Sequence, residues 1–314
     1  MSYEEFLEYI KEHIQEFLPN EYDESRPVIE KRNLNNGGCY YGLVVRKMNK
    51  NIAPLLNMEN YYRAYKQGEH IVSLLCRIAS TYYQLDEQTP VINANVFSYA
   101  NVKNKIFVEV CNAEKNRKSL ENAPHEIRED LALKYYVSFR YSEFEYGKVS
   151  IRNEHIQLWN VSAEEVKKQA WENMHNASKY IFKPLKEYVE DYLEIESGEF
   201  KESTPDIYAL TNEKGVHGAA YMFDDVVMQD IAKKLDDDLV IVPSSIDDVL
   251  IMKKSSVEDI GTFIGLRKMV EDINRSCLSL EEFLSDEIYL YERETQQLSI
   301  IDTSEQELGM SMDM

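Results

Sequence analysis

DIYALTNEKGVHGAAYMFDDVVMQDIAKKLDDDLVIVPSSIDDVLIM, residues Asp206 to Met252, sets three apolar runs, two polar turns and one amphipathic helix side by side. Ile207 to Leu210 predicts a strand, Asn212 to Gly218 a turn, and Ala219 to Met222 a returning strand. Val226, Val227, Ile231 and Leu235 recur at helical spacing, and Asp236-Asp237-Asp238 ends that helix. Leu239 to Val242 is continuously apolar and β-branched, the pattern of a strand buried on both faces, and Val249 to Met252 is the next strand. Working outward, Ser256-x-x-Asp259 predicts the cap of a long helix with Ile260, Phe263, Ile264, Val270 and Ile273 facing inward. Ser279-x-x-Glu282 predicts a short helix, and Glu287 to Glu292 with Gln297 to Ile301 a hairpin. The order ββ, α, ββ, α, ββ defines an α+β class, with mostly antiparallel or mixed sheets packed with amphipathic helices.

The chain before this stretch has the same character. Phe6, Ile10, Ile14, Phe17 and Leu18 give an N-terminal helix one buried stripe. Asn36-Gly37 between two strand-like runs predicts a tight hairpin, because both residues tolerate positive φ. The Asn33, Asn35, Asn36, Gly37, Gly38 cluster could offer backbone N–H groups to an anion, but the turn alone accounts for it. Two helices follow, one capped by Asn57 and one carrying Ile71, Leu74, Leu75, Ile78 and Tyr82. Tyrosine is abundant, with 22 residues, and its doublets suit the edge of a core where the hydroxyl reaches water. Ile106 to Val110 predicts a strand. Leu131, Leu133, Tyr135, Val137, Phe139 and Tyr141 alternate strictly with Lys134, Ser138 and Arg140, which predicts a half-buried antiparallel strand. Ser162-x-x-Glu165 opens a helix whose stripe runs Val166, Ala170, Met174, Ala177, Ile181, with His175 solvated on the far side. The polar stretch 194–205 reads as a linker. Two subdomains are therefore expected, an N-terminal α+β region over 1–195 and an acidic α+β domain over 206–301, with a mobile tail at 302–314.

Charge narrows the function. Lys and Arg number 35 and Asp and Glu 56, a net charge of −21. Residues 1–200 hold 25 basic and 31 acidic side chains, net −6, leaving 10 and 25, net −15, for 201–314. Such a field disfavours direct nucleic-acid binding, which needs cations to displace counterions from phosphates. It suits a basic protein partner, or imitation of DNA, and it serves solubility in any case. No run is long enough for a membrane helix, and the acidic amphipathic N-terminus lacks the features of an export signal, so a cytoplasmic protein is expected. Cys39, Cys76, Cys111 and Cys277 form no CxxC pair and read as reduced thiols.

No phosphate loop, dinucleotide fingerprint, HExxH, GxSxG or EF-hand sequence is present, and no cofactor is expected. His13, His70, His125, His155, His175 and His217 have no metal-ligand spacing. The sharpest enzymatic arrangement places Ser244 or Ser245 as nucleophile, His217 as base and one of Asp224, Asp225, Asp247 or Asp248 as orienter, which would make a metal-independent hydrolase. Against it, Ser245-x-x-Asp248 repeats the helix-capping pattern found at Ser162, Ser256 and Ser279. A divalent-metal site on Asp224, Asp225, Asp230 and Asp236 to Asp238 is opposed by helix geometry, since five residues at 100° each set Asp225 and Asp230 about 140° apart. Asp224, Asp225, Asp230, Asp236, Asp237, Asp238 and Asp247 are instead the candidate interaction surface.

Five segments together, Asn33-x-Asn35-Asn36-Gly37, PLLNMENYYRAYKQGE (54–69), LTNEKGVHGAA (210–220), VPSSIDDVLIM (242–252) and LSDEIYLYERE (284–294), resemble an uncharacterised family of anaerobic Firmicutes proteins, domain of unknown function 5688. The resemblance covers about residues 25 to 301 and implies a bacterial cytoplasmic protein with no assigned activity, so no catalytic residue carries over. The expected function is non-catalytic interaction or regulation through the acidic C-terminal surface.

Overall fold

Burial of Leu239 to Val242 organises the larger part of the molecule, and all four residues are buried in the computed structural model. The structure describes residues 1–48, 50, 53–89, 97–140, 146–177, 179–193, 206–260 and 263–302. The chain forms two compact units, Met1–Asn101 with Arg140–Gly147, and Val102–Phe139 with Lys148–Met314. This differs from the division expected at 194–205. Strands on either side of that stretch pair with each other in one sheet, so it joins parts of a single unit. The stretch itself and the tail from 303 lie outside the described residues.

In the first unit, α1 (Tyr3–His13) begins with a capping box in which Ser2 Oγ accepts from the Glu5 N–H and the Glu5 carboxylate accepts from the Ser2 N–H. β1 (Pro27–Asn33) and β2 (Cys39–Val45) make the expected hairpin, and Asn36 and Gly37 take φ of 57° and 79° in its turn. β3 (Leu56–Asn57) adds a third strand, followed by α2 (Glu59–Lys66) and α3 (Ile71–Gln88). Phe6, Ile10, Ile14, Leu43, Met58, Leu74 and Ile78 close the core between helices and sheet. Tyr82 is fully buried, its hydroxyl accepting from the Val45 N–H, while the adjacent Tyr83 is exposed.

One ionic knot lies in this core. Asp86 is 1% exposed, and its carboxylate meets Lys47 Nζ at 2.9 Å, Lys50 Nζ at 3.3 Å and the Tyr22 hydroxyl at 2.7 Å. Although burial alone would raise its pKa, these donors together hold the Asp86 carboxyl below the usual range. Asp86→Asn leaves Lys47 buried with a weakened counter-charge, so urea denaturation is expected to show roughly 3–5 kcal/mol less stability.

The chain enters the second unit through the short α4 (Tyr99–Val102). β4 (Ile106–Asn112), α5 (Arg117–Leu120), β5 (His125–Arg128), β6 (Leu131–Arg140) and β7 (Tyr146–Ser150) follow, and β6 pairs with each of the other three strands. The alternation expected in β6 is present, with Leu131, Leu133, Tyr135 and Val137 buried. After α6 (Asn153–Trp159), α7 (Ala163–Ala177) starts at the expected Ser162 cap and buries Val166, Ala170 and Met174. Ile181 does not continue that stripe. It belongs to β8 (Tyr180–Pro184), an edge strand that ends on proline, where the missing N–H costs least.

α8 (Leu185–Leu193), β9 (Ile207–Asn212), α9 (Asp225–Leu235), β10 (Leu239–Val242), β11 (Val249–Lys253), α10 (Lys254–Ile260), α11 (Phe263–Cys277), β12 (Tyr289–Glu292) and β13 (Gln297–Ile300) complete the unit. The last six strands form one antiparallel sheet in the order β13-β12-β10-β11-β9-β8. Val240, Val242 and Met252 on one face pack with Val257 and Val270 from α10 and α11, while Ile241 and Ile251 are buried on the other. Three local expectations are corrected. Ala219 to Met222 is no strand, since Gly218–Phe223 coils as a 3₁₀ turn. Ser256 lies inside α10, which starts at Lys254. Ser245 caps no helix, because the chain turns directly into β11.

Candidate functional site

Two polar loops of the second unit are stapled together, and their chemistry explains two of the sequence segments noted above. Asn212 Oδ1 accepts from the Lys214 N–H at 2.9 Å and Asn212 Nδ2 donates to Val216 O at 2.7 Å, which curls the loop over Gly215, at φ of 61°. Thr211 Oγ1 donates to Asp247 O, and the His217 N–H donates to Asp247 Oδ1, both at 2.7 Å. Gly218 sits at this junction, where an added Cβ would lie 2.5 Å from Thr211 Oγ1 and 2.6 Å from Asp247 O. A glycine is therefore required by close approach. His217 just before it is left-handed, φ 56°, an uncommon conformation for a non-glycine residue.

This places the His217 imidazole on an ionic cluster that the sequence alone did not single out. Glu109 stands in the middle of β4, a strand buried at all seven positions, and its cross-strand partner on β6 is Lys134. Opposed residues of an antiparallel pair share a face, so Phe107, Glu109, Lys134 and Tyr136 lie together. Lys148 of β7 reaches Glu109 Oε2 at 2.6 Å, Lys134 Nζ lies 3.5 Å from Oε1, and His217 Nε2 lies 3.6 Å from Oε2. Burial pushes the Glu109 carboxyl up, but Lys134, Lys148 and His217 outweigh it and bring the pKa down to about 2. Burial depresses the His217 pKa, against the opposing pull of Glu109. The available signal was an acid inside the apolar run IFVEVC, opposite the polar side of a period-two strand.

The residues proposed for hydrolysis are brought near one another but are differently employed. Ser245 Oγ lies 3.3 Å from Asp248 Oδ1 and accepts the Asp247 N–H at 3.0 Å, fastening its own turn. Asp248, raised by burial, also receives the Tyr188 hydroxyl at 3.5 Å, and Ser244 is a further hydrogen-bond partner. The imidazole Nε2 of His217 faces Lys148 Nζ at 3.1 Å. Among the described residues no hydrogen bond joins that imidazole to either serine.

The acidic residues also divide. Asp224 is buried, caps α9 through Val226 N–H and Val227 N–H, and pairs with His175 Nε2 at 2.6 Å. His175 is thus partnered, not simply solvated. Asp247 is committed to the loop junction, and Asp230 to Lys234 and the Tyr180 hydroxyl. Asp225 is exposed at the start of α9. Asp236, Asp237 and Asp238 form the turn before β10 and border an open groove of about 600 Å³, lined by Asp237, Asp238, Glu292, Arg293, Glu294 and Thr295. Arg293 there is held by Asp236, and its N–H donates to Asp238 Oδ1 at 3.0 Å. Among the described residues no three His, Cys, Asp or Glu side chains converge as metal ligands do, and no helix is long and apolar enough to cross a membrane.

The fold is that of an α+β protein built on antiparallel sheets. The chain belongs to a family of unknown function, DUF5688, whose family model matches residues 3–293. Comparisons with curated proteins and with solved structures each give no match.

The Glu109 cluster makes an acid-stability prediction. Its folded pKa of about 2 lies below the unfolded value near 4.3, so its contribution is complete above that value and is lost as pH falls through about 2. Glu109→Gln should cost roughly 3–5 kcal/mol at pH 7 and flatten the loss of stability between those limits, as read by urea titrations at several pH values. Equal slopes for both proteins would place the acid sensitivity elsewhere.

Proposed function

We propose that the protein is a non-catalytic interaction or regulatory protein of the bacterial cytoplasm, offering the acidic groove between the Asp236–Asp238 turn and the β12–β13 turn to a basic segment of a partner protein. The groove carries this reading. Four of its six lining residues are carboxylates and its single cation, Arg293, is already bound to Asp236. A lysine- or arginine-rich segment complements that charge, and complementary potentials set encounter rate and specificity. Cys39, Cys76, Cys111 and Cys277 are free thiols, which fits a reducing compartment. The hydrolase reading is the weaker one, because the Ser245 hydroxyl is taken up by its own turn and the His217 ring by Lys148.

Fluorescence anisotropy of a labelled lysine- and arginine-rich peptide on the full chain tests this. Binding should weaken steeply between about 50 and 300 mM salt, as screening shortens. The double substitution Glu292→Gln and Glu294→Gln should weaken it roughly five- to tenfold, on the order of 1 kcal/mol. Equal affinity for the double variant, or for a glutamate-rich peptide, overturns the reading. Separately, a fluorophosphonate probe should leave the protein unlabelled, and labelling abolished by Ser245→Ala would establish the hydrolase instead.

A further inference from the structure

Cys111 of β4, Ala132 of β6 and Ile127 of β5 form one cross-strand row on a shared face of the smaller sheet. Leu120 of α5 closes over the first two, which are buried with it, and Ala113 packs against them. α5 has only 4 residues and β5 is an edge strand, so this cover stops short of the end of the row. Ile127 is 52% exposed there. The gap is a cup of about 450 Å³ with Ala113, Leu120 and Ile127 in its lining, a size and an apolar floor that suit a small molecule.

The polar groups of the cup are mostly acceptors. Glu114, Glu121, Glu129 and Asp130 bring four carboxylates, against the one guanidinium of Arg117. Asp130 is held by the hydroxyls of Ser285, at 2.7 Å, and Tyr289. The side chains of Glu114, Glu121 and Glu129 make no hydrogen bond or ion pair among the described residues. His125, also in the lining, has Nδ1 2.9 Å from Ala123 O, so Nδ1 carries the hydrogen and the neutral ring offers no donor at Nε2. Neighbouring cations are engaged elsewhere. Lys134, opposite His125, is paired with Glu109 at 3.5 Å. Arg128 and Lys167 pair with Glu126 on the other face of β5, and Lys115 Nζ lies 4.8 Å over the Phe283 ring. Among the described residues no three acids or histidines converge as metal ligands do. Carboxylates set apart around an apolar floor suit a cation whose charge is carried on a hydrocarbon body.

We propose that this cup binds a small organic amine, a protonated nitrogen on a short hydrocarbon body. The body covers Ile127 and completes the packing that α5 leaves unfinished, while the rim carboxylates accept the ammonium hydrogens. Charge complementarity sets the sign of the ligand and the floor requires the body, since a bare cation gains only the weak attraction of exposed carboxylates. The acidic groove differs, because no apolar residue lines it.

The test is methyl NMR of the full chain with ¹³C-labelled isoleucine δ1 methyl groups, titrated at about pH 7.5 with cyclohexylamine, an ammonium ion at that pH. Parallel arms use cyclohexanol, cyclohexanecarboxylate and ammonium chloride at matched ionic strength. The Ile127 resonance, assigned by its disappearance in Ile127→Val, should shift saturably with cyclohexylamine, and each other probe should bind roughly fivefold more weakly or worse. The double substitution Glu114→Gln and Glu121→Gln should weaken amine binding roughly five- to tenfold. Unchanged resonances of the buried Ile241 and Ile251 show that this variant is folded. Glu292→Gln with Glu294→Gln should leave the shift intact, which separates the cup from the groove. No saturable shift with the amine, equal binding of any of the other three probes, or unchanged affinity in the Glu114 and Glu121 variant would overturn the proposal. A lysine-rich peptide that shifts Ile127 at lower concentration than cyclohexylamine does would assign the cup to a protein partner and overturn it as well.

Discussion

Thr211, His217 and Gly218 on one loop meet Asp247 on another at a contact too close for a β-carbon. Much else in the second unit follows from that constraint. It forces glycine at 218, and Gly218–Phe223 coils into the 3₁₀ turn that lies against β4, β9 and β11. It sets the direction in which His217 leaves the backbone, over the Glu109 face of the smaller sheet. Asp247 receives a backbone N–H here, so its charge is consumed in building the loop pair. The carboxylates that the sequence lists together in SSIDD thus have structural work, and the same holds for Asp224 under α9.

Glu109 then determines what the junction encloses. A carboxylate at the centre of a fully buried strand is tolerable only when paired, and two lysines from two neighbouring strands supply the pairs. The first unit uses the same device at Asp86, with Lys47, Lys50 and Tyr22. The two clusters differ in one respect. The buried Asp86 carboxylate is supplied on both oxygens, whereas among the described residues the second cluster leaves Glu109 Oε1 and His217 Nδ1 without a hydrogen bond. Each such group subtracts from stability.

How much of this was legible follows from which physical signals are local. Asn36-Gly37 announced its hairpin because the turn's positive φ values are a property of those two residues. Leu239 to Val242 announced a buried strand because continuous β-branched sequence has few other uses, and the period of β6 fixed its buried face. Ser-x-x-acid was ambiguous because one hydroxyl and one carboxylate three residues apart satisfy orphan N–H groups in a helix start or a plain turn. Ser162 does the first and Ser245 the second. Ile181 was misassigned because apolar spacing carried past the true end of α7 into an edge strand. The 194–205 stretch resembled a boundary by composition, but β8 and β9 pair across it, and long-range pairing leaves no trace in composition.

The site was the least legible part for a related reason. Glu109, Lys134, Lys148 and His217 come from three strands and a loop spread over more than a hundred residues, and none belongs to a spaced motif. A net charge of −21 directs attention to acidic surface, yet two lysines and a histidine gather around a buried carboxylate in the interior. The two features are compatible because they act at different range. Exposed acids are screened within about 8 Å at physiological salt and govern how partners approach, while the buried Glu109 carboxylate and the groups paired with it are screened far less.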